Sequence, residues 1–119
     1  MAELAAQRSD DPRVRDYGTK IKSDHTAHAA EIERLLAPLG VAIPTVPSPE
    51  ALAQVTALTR LTGKEFDAAF VQQMIWTHTD AIEKYGALTR ANPDRSSHDF
   101  ASQSLPMLRE HLAAAESLR

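Results

Sequence analysis

Apolar positions recur at steps of three and four along three long segments of this 119-residue chain. This spacing follows the 3.6-residue turn of an α-helix, so each segment carries one apolar face. The positions are Val14, Gly18, Ile21, His25, His28, Ile32, Leu35 and Leu39; then Phe66, Phe70, Val71, Met74, His78, Ala81, Tyr85 and Leu88; and finally Ala101, Ser104, Leu108, His111, Ala115 and Leu118. The pattern predicts an all-α fold in which helix faces pack together.

Capping residues predict the bounds of the first helices. Residues 1–8 have helical composition but supply little more than two turns. Asp10 or Asp11 can cap the next helix, which we expect to begin at Pro12 and to end at about residue 39. Gly40 lies just beyond and is typical of a C-terminal helix cap.

The next segment is expected to connect the first and second long helices. Residues 40–48 include Pro44 and Pro47 and are predicted to form an extended connector. The sequence Ser48-Pro49-Glu50 predicts the start of a short helix that runs to about Leu61.

The second half of the chain is predicted to form two long helices. Residues 62–65 have the Thr-x-x-Glu pattern of a capping box, which opens the first of them. The turn at Asn92-Pro93-Asp94 separates it from a last helix that reaches about Leu118 and is expected to be kinked by Pro106. Three long helices and a short first one describe a single-domain four-helix bundle with one long connection. A three-helix bundle with a frayed N-terminal arm is the alternative.

Composition excludes several classes of protein. The net charge is −3 and no basic block is present, which argues against nucleic-acid binding. There are no cysteines, so disulfides, thiolate metal sites and thiol nucleophiles are excluded. The longest apolar runs are far shorter than the roughly 20 residues of a membrane span, and no signal peptide is recognisable. As written, the chain is expected to be cytoplasmic.

Three histidines occupy apolar positions on three different helices. A buried imidazole needs a hydrogen-bond partner, a carboxylate or a metal ion. From a rise of about 1.5 Å per residue, His25, His78 and His111 lie roughly 21–27 Å along their helices, within about one turn of one another. Three imidazoles that meet would suit zinc, copper or iron. His28, one turn from His25, and Asp24 are further candidate ligands.

A structural role for the same histidines remains the alternative. Each can be a core residue that is hydrogen-bonded to a carboxylate, a hydroxyl or a water molecule. Thr77, Ser104 and the carbonyl freed near Pro106 are available partners. Ferritin-like di-iron chemistry is excluded because no Glu-x-x-His occurs in the chain. No nucleophile elbow or phosphate-binding loop is present either, so we expect no enzyme. Trp76, Tyr17 and Tyr85 are expected to be packing residues.

Four ordered motifs give the chain a resemblance to a known family. They are Leu4–Val14 with Asp24-His25, Leu61–Asp67 with His78, Leu105-Pro106, and His111-Leu112. Over nearly its whole length the chain resembles the bacterial predicted outer-membrane proteins of domain of unknown function 4142. The resemblance implies a ferritin-like bundle with a truncated first helix and a long helix 2–3 crossover that contains a short helix. Family members often carry an export signal, which implies the periplasm or cell envelope, and their activity is not established.

The chain departs from that family in its first helix. From the sequence as written we expect no leader, and an acidic position that the family tends to carry upstream of the matched Leu4 falls outside it, with Glu3 the nearest carboxylate. We therefore expect a homodimer that covers the side left open by the short first helix. The expected function is a non-enzymatic interaction or stress-associated module. A transition-metal-binding protein with a mononuclear, histidine-rich site in the bundle core is the second hypothesis.

Overall fold

The computed structural model describes residues 1–39, 48–91 and 94–119, and within these ranges the fold is all-α. Helices make up 88 % of the described residues and none of them lies in a strand. The elements are α1 (Glu3–Arg8), α2 (Pro12–Leu36), a 3₁₀ turn (Ala37–Leu39), α3 (Pro49–Thr59), α4 (Gly63–Arg90) and α5 (Arg95–Ser117). The predicted fold class is confirmed, whereas the ferritin-like bundle and the single domain stay predictions.

Two of the predicted helix starts are confirmed by side-chain caps. Asp11 caps α2 by accepting a hydrogen bond from the Arg13 amide at 2.9 Å, with proline at the first helical position. Ser48 caps α3 in the same way through the Ala51 amide at 3.1 Å. The Gly40 cap and the connector through residue 47 lie outside the described residues.

The two long helices of the second half also begin near the predicted positions. Helix α4 starts at Gly63, whose φ of 60° is in the left-handed region that favours glycine. The capping box at residues 62–65 stays a prediction. Asp94 caps α5 by accepting from the Ser97 amide at 3.0 Å. Asn92 and Pro93, the other predicted turn residues, lie outside the described residues.

The chain forms two compact units, Met1–Ala69 and Phe70–Arg119. In the first unit α1 packs closely on α2 at Gly18. A Cβ atom added at Gly18 would lie 2.6 Å from the Ala5 Cβ and 2.8 Å from the Ala2 carbonyl oxygen, so only glycine allows this approach. The buried apolar residues of this unit are Ala5, Val14, Tyr17, Ile21, Leu58 and Phe66.

In the second unit the predicted apolar faces of α4 and α5 are buried over most of their length. The buried residues here are Phe70, Val71, Met74, His78, Ala101, Ser104, Leu105, Leu108, His111 and Ala115. Tyr85 is half-buried and its ring contacts that of Phe100 at a centroid distance of 6.2 Å. Trp76 is 58 % exposed, so its expected role in packing is wrong. None of the helices in the described ranges has the length and apolar character needed to cross a membrane.

Candidate metal centre

His78 lies in α4 with only 2 % of its surface exposed, and a backbone hydrogen bond fixes the state of its ring. Its Nδ1 is 2.8 Å from the carbonyl oxygen of Met74, one turn earlier in the helix. A carbonyl oxygen only accepts hydrogen bonds, so Nδ1 carries the hydrogen and donates it. In the neutral ring the lone pair is then on Nε2, the nitrogen that can bind a metal ion.

His111 lies in α5 and is 1 % exposed, and its ring is next to that of His78. The two ring centroids are 5.4 Å apart, with an angle of 84° between the ring planes. Both histidines lie on faces that the 3.6-residue period predicts to be buried. The same period therefore explains why two polar rings from separate helices meet in an apolar environment.

The surroundings of His78 favour its neutral form. Burial lowers the pKa of His78 below its ordinary value, and the positive charge that His111 can carry lowers it further. The hydrogen bond to Met74 opposes both effects but does not outweigh them. At neutral pH the ring is therefore in the unprotonated form that metal coordination requires.

His25 lies in α2, in the first of the two compact units, whereas His78 and His111 lie in the second. The convergence of the three histidines stays a prediction. The expected burial of His25 is wrong, because its side chain is exposed.

Asp24 and His28, the other two candidate ligands, lie on α2 together with His25. The Asp24 carboxylate accepts a hydrogen bond from Lys20 Nζ at 3.2 Å on the surface of α2. His28 is half-buried, and burial lowers its pKa. Their roles as metal ligands stay predictions.

The sequence did not predict the backbone partner of His78. Thr77 and Ser104 were expected to offer hydroxyls, but Thr77 accepts a hydrogen bond from Gln73 at 3.1 Å and Ser104 donates to the Phe100 carbonyl at 2.8 Å. Every histidine inside a helix has a carbonyl group four residues earlier, so the presence of that carbonyl does not indicate which histidines donate a hydrogen bond to it. Whether it accepts depends on the side-chain rotamer, which the sequence does not specify.

The fold and the site define a small all-α protein with two buried histidines in contact, His78 and His111. The family model described as Domain of unknown function (DUF4142) matches residues 1–118, and the chain belongs to that family. No curated protein and no solved structure matches it. The family resemblance found in the sequence is confirmed, while its outer-membrane and ferritin-like parts stay predictions. A domain of unknown function assigns no activity to its members, so the function of this protein is inferred from its site.

Proposed function

We propose that this protein binds one transition-metal ion through His25, His78 and His111. The observation that carries the proposal is the hydrogen bond from His78 Nδ1 to the Met74 carbonyl beside the ring of His111. Metal-binding histidines commonly donate their second ring N–H to a backbone carbonyl, which orients the ring and fixes its tautomer. The same arrangement is present at His78.

The chemistry of the donors limits the metal. Imidazole nitrogen suits zinc, copper and iron, and the chain has no cysteine to supply a softer thiolate donor. Hard oxygen-preferring ions such as magnesium and calcium are disfavoured because the three proposed ligands are all imidazoles. Zinc, copper or iron is therefore the expected ion.

A purely structural role is the alternative to metal binding. Core packing accounts for the burial of His78 and His111, each of which needs a polar partner inside the protein. A titration with metal ions distinguishes the two roles.

Metal binding can be tested without disturbing the core. Protein purified without an affinity tag should take up about one equivalent of zinc or copper in calorimetric titration. His25→Ala removes one ligand and opens no buried cavity, since His25 is exposed. We expect at least tenfold weaker binding, a loss of about 1.4 kcal/mol. His98→Ala is the matched control, because His98 is also exposed and lies in the first turn of α5.

Two results would contradict the proposal. One is the absence of stoichiometric metal binding by the full chain. The other is equal affinity of the His25→Ala and His98→Ala variants, which would show that any uptake comes from scattered surface histidines.

Exposed apolar side chains support a second candidate function, a non-enzymatic interaction module. Trp76 is 58 % exposed and Leu52 is 49 % exposed, although both are large apolar residues. A binding surface requires that each of them lies within a larger apolar patch, because single exposed apolar residues are common on folded proteins. This candidate is compatible with metal binding and predicts a partner rather than a substrate.

A further inference from the structure

Each of the two buried histidines of the second unit follows a methionine at a distance of four residues. Met74 precedes His78 in α4, and Met107 precedes His111 in α5. The chain has three methionines, and the remaining one is Met1. We infer that the His78–His111 pair binds monovalent copper and that the thioether sulfurs of the two neighbouring methionines complete its ligand set. The inference rests on the proposed function for these two histidines and uses no residue of the first unit.

Helix geometry brings each methionine to the face of its histidine. Residues four apart lie one turn apart on the same face of a helix, with about 5–6 Å between their Cβ atoms. Long side chains in helices lean towards the N-terminus, which directs each ring over the turn that holds the methionine. The hydrogen bond of 2.8 Å from His78 Nδ1 to the Met74 carbonyl shows this direction in α4. Because Nδ1 donates that bond, Nε2 is the nitrogen that binds the ion.

The two Met-x-x-x-His segments meet through their histidines. The ring centroids of His78 and His111 are 5.4 Å apart, and one nitrogen of each ring lies within 4.8 Å of a nitrogen of the other. Met74 is 4 % exposed and Met107 is half-buried. A methionine side chain has three rotatable bonds, so its sulfur adjusts readily to an ion held by the neighbouring ring. Two imidazoles and two thioethers are therefore available within one compact unit.

The types of donor favour copper(I) over the other ions that imidazole binds. Thioether sulfur is a soft donor that copper(I) accepts, whereas zinc in proteins takes thiolate, imidazole and carboxylate ligands. A zinc ion at the two histidines would gain little from either methionine. Copper(I) gains a soft ligand from each.

The burial of the pair favours the smaller charge of a monovalent ion. His78 is 2 % exposed and His111 is 1 % exposed, and imidazole and thioether are both neutral donors. An ion that leaves water for such surroundings loses hydration free energy, which in the Born description rises with the square of its charge. Copper(I) is therefore less costly to bury at this pair than zinc or copper(II).

X-ray absorption of the copper-loaded protein tests the ligand set directly. The full-length protein without an affinity tag is titrated with copper(I) under anaerobic conditions, in thiol-free buffer and in competition with a chromophoric chelator. We expect about one equivalent of copper(I) to bind and the spectrum to show both imidazole and sulfur bound to copper. The chain has no cysteine, so any protein sulfur bound to the ion belongs to a methionine.

Leucine substitutions assign that sulfur to individual residues. Met74→Leu and Met107→Leu nearly conserve volume and apolar character, so both variants should fold, which circular dichroism checks. Each should weaken copper(I) binding by about tenfold or more and reduce the sulfur signal. The affinity of each variant for zinc should equal that of the wild-type protein, which provides an internal control in the same variant.

The outcomes separate this inference from the proposed function. If copper(I) binds with nitrogen ligands only, or if both leucine variants keep the wild-type affinity for it, the methionines are packing residues and the inference is wrong. If zinc binds in a His25-dependent manner and copper(I) does not bind, the inference is again wrong but the proposed function stands. If neither ion binds to the full-length protein, both are disproved.

Discussion

Opposing interactions act on the protonation state of the His78 ring. Burial and the neighbouring His111 favour the neutral ring, while the hydrogen bond to the Met74 carbonyl favours the protonated ring. Burial outweighs the hydrogen bond because one hydrogen bond donated to a carbonyl replaces only part of the hydration of an imidazolium ion. The folded protein therefore resists protonation at this position more than the unfolded chain does.

This resistance predicts acid sensitivity of the metal-free protein. The pKa of His78 is lowered in the folded state from 6.5, so the unfolded chain binds the proton more readily. Stability should be fully present above about pH 6.5 and should fall as the pH drops towards the folded pKa, by about 1.4 kcal/mol for each unit of pKa lowering. Urea unfolding with a chelator present, from about pH 8 to about pH 5, measures this slope.

The variants for this measurement are chosen by burial. His78→Gln removes the titrating ring from the core and should flatten part of the slope. His98→Ala removes an exposed histidine and should leave the slope unchanged. A wild-type protein equally stable across the whole range would rule out an energetically important buried imidazole.

The burial of individual residues could be predicted only on helix faces against which other parts of the protein pack. His78 and His111 were correctly placed inside because their faces are buried along several turns. His25 was expected to be buried on the same kind of evidence but is exposed. On α2 the contact with α1 reaches Lys22, whose Nζ is 3.5 Å from the Glu3 carboxylate, one turn before His25. The periodicity of apolar residues identifies one face of a helix, but it does not show how far along that face a neighbouring helix packs.

At the scale of helices, the close approach of α1 to α2 is the most demanding contact of the first unit. Gly18 faces Ala5 and the Ala2 carbonyl oxygen with no space for a methyl group. One of the two obstructing atoms belongs to the backbone, so a clash cannot be relieved by turning a side chain. The position of α1 therefore depends on the absence of a side chain at Gly18.

Alanine substitution at two helical glycines tests this dependence. Gly18→Ala should destabilise the protein by about 1–3 kcal/mol through overpacking, even though alanine is intrinsically the better helix former. At Gly86 the added Cβ would meet the flexible end of Arg90 at 3.2 Å, so Gly86→Ala should be neutral or stabilising by up to about 1 kcal/mol. Thermal unfolding followed by circular dichroism compares the two. Equal melting temperatures would show that α1 is not held at Gly18.

Helix starts were predicted better than helix ends because capping is local. Asp11, Ser48 and Asp94 each precede a helix and bond to an amide two or three residues later, a pattern visible in the sequence. Helix α3 ends at Thr59 instead of about Leu61. The amides of the next two residues bond to carbonyls three residues back, which tightens the last turn before the left-handed Gly63. Nothing in the composition of residues 59–61 marks this change.

At the scale of the whole molecule, the candidate site was predictable in position along the helices but not in detail. The rise per residue of a helix is constant, so the similar depths of His25, His78 and His111 followed from counting. The rotation of each helix about its axis and the rotamers of its side chains depend on packing, which cannot be predicted by counting residues along a helix. The contact between His78 and His111, and the hydrogen bond to Met74, therefore could not be predicted from the sequence.

Self-association is the prediction that belongs to this scale. The sequence predicts a homodimer on the side of α1, and α3, which contacts α1, carries Leu52 at 49 % exposure. Light scattering at high concentration should give twice the chain mass of 13.0 kDa. Leu52→Glu should shift the protein towards the monomer because it places a charge among apolar contacts.

A variant of equal charge provides the control for this shift. Gln103→Glu adds the same negative charge at an exposed position of α5 and should leave the dimer intact. A monomeric mass for the wild-type protein at every concentration would contradict the predicted homodimer.

The exposure of Trp76 has a consequence for how this protein can be observed. It is the only tryptophan in the chain, and more than half of its surface is in water. Its fluorescence emission in the native state will already resemble that of an indole in solvent, so denaturation will change the colour of the emitted light very little. The same indole is well placed for quenching by dissolved iodide, and any molecule that docks over it will reveal itself as protection from that quencher.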